Sequence, residues 1–274
     1  MEGEFIKQFK EFLKAQAISY IEHKVLTDTP FLNLYLPQLK LIFHLVDYKT
    51  LQQKEFPANL FQSLSVQFSY QKIQILHIWE DVWFSRNHLV KSKILNYFKL
   101  NKRIPGRSCN VQKTDKAVSD SFFMLNHLLG STTNYYKMGL FQDQKLVAAI
   151  TFSKSRIMVD GPNLYRSFEL IRFANSMGNT VVGGLGKLLK HFITLHHCVH
   201  IMTYIDLDWG YGESFIKMGF VKVGYTEPNL FYIDPKKHLR TYYKKTDKTV
   251  NQLSDMVKGF NAGSAKLILD LRKF

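Results

Sequence analysis

The 274 residues carry a formal net charge of +15 with 46% hydrophobic and 22% charged side chains, a globular composition long enough for two domains. No apolar run reaches the ~18 residues of a membrane helix, and the start Met1-Glu-Gly-Glu4 lacks a signal-peptide core, so a cytoplasmic protein with no membrane partner is expected. Two cysteines, Cys109 and Cys198, cannot build a disulfide framework, and the histidines show no HxH or HExxH spacing, so no metal site is expected.

Phe5, Phe9, Phe12, Leu13 and Ile21 recur at helical spacing and predict an amphipathic helix. The alternation Phe31-Leu-Asn-Leu-Tyr-Leu36 predicts a strand stopped by Pro37, with Leu39 to Val46 as its hairpin partner. Lys72 to Trp79 predicts a third strand, and His88 to Phe98 a helix. Pro105 and Gly106 break any regular element, and Arg103 and Arg107 keep Arg103–Arg107 solvated, so the domain boundary is placed there: 1–104 and 105–274. Beyond it Ser119 to Leu129 reads as a helix, Tyr135 to Phe141 and Lys145 to Phe152 as a hairpin, and Arg166 to Phe173 as a strand.

At Val182-Gly-Gly-Leu-Gly-Lys187 three glycines meet the start of an apolar helical pattern through Leu185, Leu188, Leu189 and Phe192. Glycines allow close backbone approach, and the free N–H groups of a helix start attract anions. Val182, Gly183, Gly184, Gly186 and Lys187 are therefore candidates to hold a pyrophosphate; the plainer reading is a turn capping a core helix. Cys198 to Asp206 predicts the next strand, followed by a short helix near Ser214 to Met218, and Lys266 to Leu271 predicts a last strand.

Charge is uneven. Residues 1–104 carry 14 basic and 9 acidic side chains, 105–234 carry 13 and 10, and 235–274 carry 10 and 3. Lys236, Lys237, Arg240, Lys244 and Lys245 are interleaved with Tyr242 and Tyr243, a pattern suited to phosphates and exposed bases. DNA with little sequence preference is the expected partner; a solvated basic surface is the alternative.

Two resemblances follow. Phe168-Glu-Leu-Ile-Arg-Phe173, Val181-Val-Gly-Gly184, Thr203-Tyr-Ile-Asp206 with Trp209, Gly219-Phe220, Glu227-Pro-Asn229 and Phe231-Tyr232 are together similar to phage-borne GNAT-like acyltransferases, including relatives of the Mom DNA-modification protein. The likeness covers roughly 104–274. It implies a mixed-sheet GNAT-like domain, acetyl-CoA or another acyl-CoA on the glycine turn, and an acyl group beside a splayed strand. Acyl transfer to an amine then needs a base and an acid. Glu169 is the candidate base, or else a strand carboxylate paired with Arg172 or Arg166. Asp206 is placed to orient the amine, or caps the turn that follows, and Tyr204 to donate a proton. His127 titrates near neutrality, or is structural.

The first domain, with Ile75-Leu-His-Ile-Trp-Glu-Asp-Val-Trp83, resembles nucleases related to Vsr repair endonucleases and EDxHD homing endonucleases, a small PD-(D/E)xK-type α/β fold. It departs from them at the metal ligands. Asn33 stands where an aspartate belongs and His44 where a glutamate belongs, and Glu80 and Asp81 read as a helix start. The resemblance implies a degenerate nuclease whose fold is kept and whose cleavage is lost.

The expected fold is thus α+β in two domains. The expected function is acyl-CoA-dependent transfer on or with DNA, of phage or mobile-element type. The alternative is a catalytically inactive DNA-binding accessory derived from a homing endonuclease; a GNAT acting on a protein or small amine fits the basic tail less well.

Overall fold

The computed structural model describes residues 3–23, 29–243 and 255–272. In chain order the first elements are α1 (Glu4–Ala15), β1 (Ile21–His23), β2 (Leu32–Leu36), β3 (Leu41–Val46), α2 (Tyr48–Gln53), α3 (Leu60–Tyr70), β4 (Gln74–Trp79), α4 (Glu80–Ser85) and α5 (Asn87–Tyr97). Next come β5 (Lys102–Pro105), β6 (Asn110–Lys113), α6 (Lys116–Asn126), β7 (Tyr136–Gln142), β8 (Lys145–Phe152), β9 (Arg156–Asp160), β10 (Asn163–Asn175), β11 (Asn179–Val182) and α7 (Gly184–His196). The chain continues through β12 (His200–Asp206), α8 (Glu213–Ile216), β13 (Val221–Tyr225), β14 (Leu230–Asp234), β15 (Leu239–Tyr242), β16 (Val257–Phe260) and β17 (Ser264–Asp270).

The mixed α+β content matches expectation, but the packing divides elsewhere than at residue 104. One compact unit is Met1–Asn87 with Ile205–Glu213 and Gly224–Ala265; the other is His88–Tyr204 with Ser214–Val223 and Lys266–Phe274. Arg103–Arg107, expected as a solvated boundary, contributes to β5, which pairs in parallel with β11. Part of the expected basic tail, β15 and β16, belongs to the first unit.

In the first unit a four-stranded sheet runs β1-β2-β3-β4, with β2 and β3 antiparallel and β3 and β4 parallel. All of β3 is buried, as its run Leu-Ile-Phe-His-Leu-Val requires of a strand covered on both faces. Helix α1 buries Phe5, Phe9, Phe12 and Leu13, and Phe9 meets Trp83 and Phe43 at 5.1 and 5.3 Å between ring centroids. Ile21, expected on that helical face, lies instead in β1 opposite Tyr35. The helix stops first: Ala17 turns left-handed (φ 53°) and the Ile18 N–H closes on the Leu13 carbonyl, a cap that ends the 3.6-residue period. A second sheet, β15-β14-β16, completes this unit.

The second unit is built on the sheet β13-β17-β12-β10-β8-β7-β6, with β9 added to β10. The last strand, β17, inserts between β12 and β13. Helix α7 packs on one face, where Phe192 stacks on Phe152 at 3.6 Å between centroids. Helix α6 packs on the other through Phe122 and Phe123 against Ala149 and Ala174.

Candidate functional site

The central strands of the second unit part company. β10 and β12 are paired in parallel only from Ser167–Leu170 to His200–Thr203. β10 then bulges, its register with β8 slipping between Leu170 and Arg172, while β12 runs on. A bulge bends a strand away from its neighbour and frees backbone groups, so a wedge opens between the two strands. Phe168 packs on Phe192 of α7, and alternation along the strand puts Glu169 on the opposite face. Glu169 lies beside Met202, two residues before Tyr204, so Glu169 and Tyr204 share one sheet face at the wedge.

Glu169 is half-buried and held from the backbone. Its N–H donates to Ser153 Oγ (3.0 Å), and the Ser153 N–H donates to its carbonyl (2.9 Å). Its carboxylate has no ion-pair partner among the described residues, so pairing with Arg172 or Arg166 is not seen; Arg172 instead donates to the carbonyls of Ile171 and Gly130. Tyr204 is 39% exposed.

The other two candidates do structural work. Asp206 is grouped with the first unit, and its Oδ1 accepts the Asp208 N–H at 3.0 Å, holding the turn that follows β12. His127 is the C-cap of α6, and its Nδ1 accepts the Leu129 N–H at 3.2 Å. Burial, then the charges of Arg172 and Lys93, push its pKa down to about 3, as an imidazole nitrogen committed to accepting requires.

The glycine turn lies in the same unit. β11 ends at Val182; Gly183, left-handed at φ 74°, is the N-cap of α7 without any side-chain cap, and no acidic residue occupies the first turn. The helix start therefore keeps its positive end uncompensated. A Cβ on Gly183 would meet nothing within 4 Å, and Val182 is 42% exposed, so the turn is open outward. Gly184 faces inward: its Cβ would stand 2.9 Å from Val181 and 3.1 Å from Leu140. Gly186 faces the Met218 sulfur at 3.6 Å. An anionic pyrophosphate fits these uncapped amides. Lys187 does not join them, because its ammonium donates to the carbonyls of Gly106 (3.0 Å) and Cys109. Gly106 is the residue that sequence reasoning missed: a Cβ there would come 2.7 Å from the Val182 carbonyl oxygen. Pro105-Gly106 reads locally as a chain breaker, and only the pairing of β5 with β11 brings it against the glycine turn.

The positions expected to echo a nuclease site form a closed polar core in the first unit. Asn33, His44 and His77 lie in register across β2, β3 and β4, and all are fully buried. His77 Nε2 is 3.1 Å from the Phe61 carbonyl oxygen, which can only accept, so the proton sits on Nε2. His77 Nδ1 must then accept from the Nδ1–H of His44 (2.8 Å), and His44 Nε2 accepts from Thr29 (3.1 Å). Ser65 Oγ, 3.0 Å from His77 Nε2, donates onward to the Leu207 carbonyl. Every ring nitrogen is used, and burial pushes both imidazole pKa values down, that of His77 to about 3. Glu80 accepts the Tyr48 N–H at 2.7 Å and so caps the start of α2 rather than its own helix; burial raises its pKa. Among the described residues no three His, Cys, Asp or Glu side chains are grouped to hold a metal ion.

Asp81, also expected to cap α4, is fully buried and forked to Arg240 at 2.8 and 2.9 Å. The guanidinium lies 3.8 Å from the Phe231 ring centroid. Arg240 is therefore a core residue and not the surface cation expected from the basic tail, because β15 turns its side chain inward onto Asp81. Lys236 and Lys237 are exposed, with backbone N–H groups held by Asp234 Oδ1. Tyr242 is 39% exposed and Tyr243 half-buried. Lys244 and Lys245 lie outside the described residues.

No protein-family model matches the sequence, and no curated protein matches it. Several solved acetyltransferase structures align with part of this chain at low identity. Naa50 of Arabidopsis thaliana, in complex with a CoA-peptide bisubstrate analogue, aligns at TM-score 0.36 and 10% identity over 60% of this chain and 99% of its own. A GNAT family acetyltransferase from Elizabethkingia anophelis with acetyl-CoA bound aligns at TM-score 0.31 and 8% identity, over 60% of this chain and 99% of its own. The IAA acetyltransferase of Bacillus cereus aligns at TM-score 0.34 and 12% identity, over 60% of this chain and all of its own.

Proposed function

We propose that this chain is an acyl-CoA-dependent, GNAT-like transferase of the phage or mobile-element type that acts on or with DNA. The observation that carries the reading is the parting of β10 and β12 after Leu170 and Thr203, in the same unit as the uncapped start of α7. The amides following Val182 and Gly183, with Gly184 keeping the turn compact and Gly186 in the first turn of α7, would hold the diphosphate of the coenzyme. The thioester would supply an activated acyl group. Glu169 would take a proton from the acceptor amine as its nitrogen bonds to the acyl carbon and the carbon–sulfur bond breaks, and Tyr204, on the same sheet face, would give a proton to the departing thiolate. Asp206 and His127 are not assigned chemical roles, since both are engaged in holding backbone.

The first unit is read as a scaffold of nuclease descent without cleavage. Its element order, one helix, three strands, two helices and a fourth strand, supports that descent, and the closed His44–His77 chain supports the loss. Lys236, Lys237, Tyr242 and Tyr243, with Lys244 and Lys245, are the proposed DNA contacts; Arg240 is withdrawn from that set. A reading in which acyl transfer too has been lost is favoured by one contact, the Lys187 ammonium turned onto the carbonyls of Gly106 and Cys109.

Calorimetric titration with acetyl-CoA and longer acyl-CoAs separates the two. Saturable heat is expected from the transferase; none at millimolar ligand leaves the accessory reading.

A further inference from the structure

Strand β9 is an edge that no other described strand covers. It pairs with β10 alone among the described strands, and each of its residues, Arg156-Ile-Met-Val-Asp160, is exposed. Ile157 is 71% and Val159 69% exposed, and Leu164, opposite Val159 on β10, is 71% exposed. An exposed apolar edge with free backbone groups is a template for another strand. Natural edges are usually blunted by a bulge, by charged side chains or by a proline in the strand, and the two charges of β9, Arg156 and Asp160, are of opposite sign. The register of β9 with β10 is unbroken, and the nearest proline, Pro162, sits in the turn. The hairpin is also buttressed: Arg272 pairs with Asp160 at 3.1 Å, forks onto Asp270, and lies over Tyr165 at 3.7 Å.

We infer that a second copy of this chain pairs with β9 in antiparallel fashion about a twofold axis at Met158. The strand is self-complementary in that register. Arg156 stands opposite Asp160 of the second copy, Ile157 opposite Val159, and Met158 opposite Met158. Arg156 has no ion-pair partner within the chain among the described residues, and Asp160 is 66% exposed. The backbone agrees with the same register. The two-residue turn Gly161-Pro162, with Gly161 at φ 56°, makes Asp160 and Asn163 a hydrogen-bonded pair. Alternation then points the N–H and C=O groups of Val159 and Ile157 away from β10. These are the groups that two facing copies must exchange when Ile157 meets Val159. On one face of the joined hairpins Ile157, Val159 and Leu164 of both copies form a single apolar strip. On the other, two opposite-charge pairs flank the methionines. A groove for an unrelated protein has no reason to carry this mirror order of charge and apolar residue.

The test uses charge reversal of the full chain, read by size-exclusion chromatography with light scattering across a dilution series. The wild type is expected to form a dimer. R156D alone puts a second carboxylate opposite Asp160, and D160R alone puts arginine opposite arginine, so each is expected to run as a monomer. Mixing the two variants gives one wholly acidic and one wholly basic edge, and a heterodimer is expected. The double swap R156D/D160R is expected to dimerise with itself. Because D160R also faces Arg272, thermal melts of each variant check the fold, and restoration on mixing cannot come from misfolded chains. A monomeric wild type overturns the inference, as does a dimer that both single variants leave intact. Single variants that stay monomeric when mixed overturn it as well.

Discussion

The closed histidine chain of the first unit and the glycine turn of the second are both departures from an apolar interior, and they differ in what their polar atoms are left free to do. In the chain from Thr29 through His44 and His77 to Ser65, each ring nitrogen has a partner within 3.1 Å and both imidazoles are wholly buried. At the start of α7, Gly183 has neither a capping side chain nor a neighbour within reach of a Cβ. The residue types alone would rank these two in the reverse order, since histidine and serine are common catalytic groups and glycine carries none. Satisfied polar groups stabilise and specify a core; unsatisfied ones at a surface bind ligands. The difference between the regions is one of hydrogen-bond completion, and it can be tested by breaking the first and filling the second.

The largest effect is expected from Arg240→Ala, which strands the buried Asp81 carboxylate; loss of one partner of a buried pair costs about 3–5 kcal/mol. Urea unfolding should show it, and an unchanged midpoint would place Arg240 at the surface after all. Next is His77→Ala, which leaves the His44 N–H without an acceptor and the Phe61 carbonyl without its donor. Each stranded buried group costs ~1–3 kcal/mol, so a total of about 3 kcal/mol is expected.

The same chain sets a pH dependence. His44 and His77 are neutral in the fold, with pKa values pushed below the ordinary one and that of His77 down to about 3. The unfolded chain binds protons that the folded chain refuses. Their contribution is complete above about pH 6.5, the unfolded value, and stability falls as pH drops below it, by ~1.4 kcal/mol per pH unit per imidazole. Unfolding midpoints measured between pH 7 and 5 should fall, and His77→Gln should remove about one proton from the slope.

Filling the second region should act on binding more than on stability. Gly183→Asp places a carboxylate where the diphosphate would sit. It costs about 1 kcal/mol for a left-handed backbone, while acetyl-CoA heats should vanish; full affinity in this variant would move the coenzyme elsewhere. Gly184→Val is a poorer probe, because its side chain would collide with Val181 and Leu140 and perturb folding as well. The smallest effect concerns DNA. Lys236→Glu with Lys237→Glu should weaken duplex binding and flatten the log–log salt dependence by about 0.9 for each lost phosphate contact. Fluorescence anisotropy at several salt concentrations reads this, and an unaltered slope would exclude these lysines from the contact.

Much of this was legible along the chain. The apolar spacing of Phe5, Phe9, Phe12 and Leu13, the alternation into Pro37, and the glycines before Leu185 each encode an element through neighbours a few residues away. Periodicity and backbone restriction are local, so local sequence states them. Three matters were decided by tertiary structure alone. The chain divides where β14 to β16 return to the first unit, which no composition shift marks. Lys187 and Arg240 read as free cations, but β5 brings the carbonyl of Gly106 to one and α4 brings Asp81 to the other. The wedge beside Glu169 depends on where two strands far apart in sequence stop pairing. A charge or a polar atom is identified by its residue, but whether it is engaged depends on partners that only the folded chain brings within bonding distance.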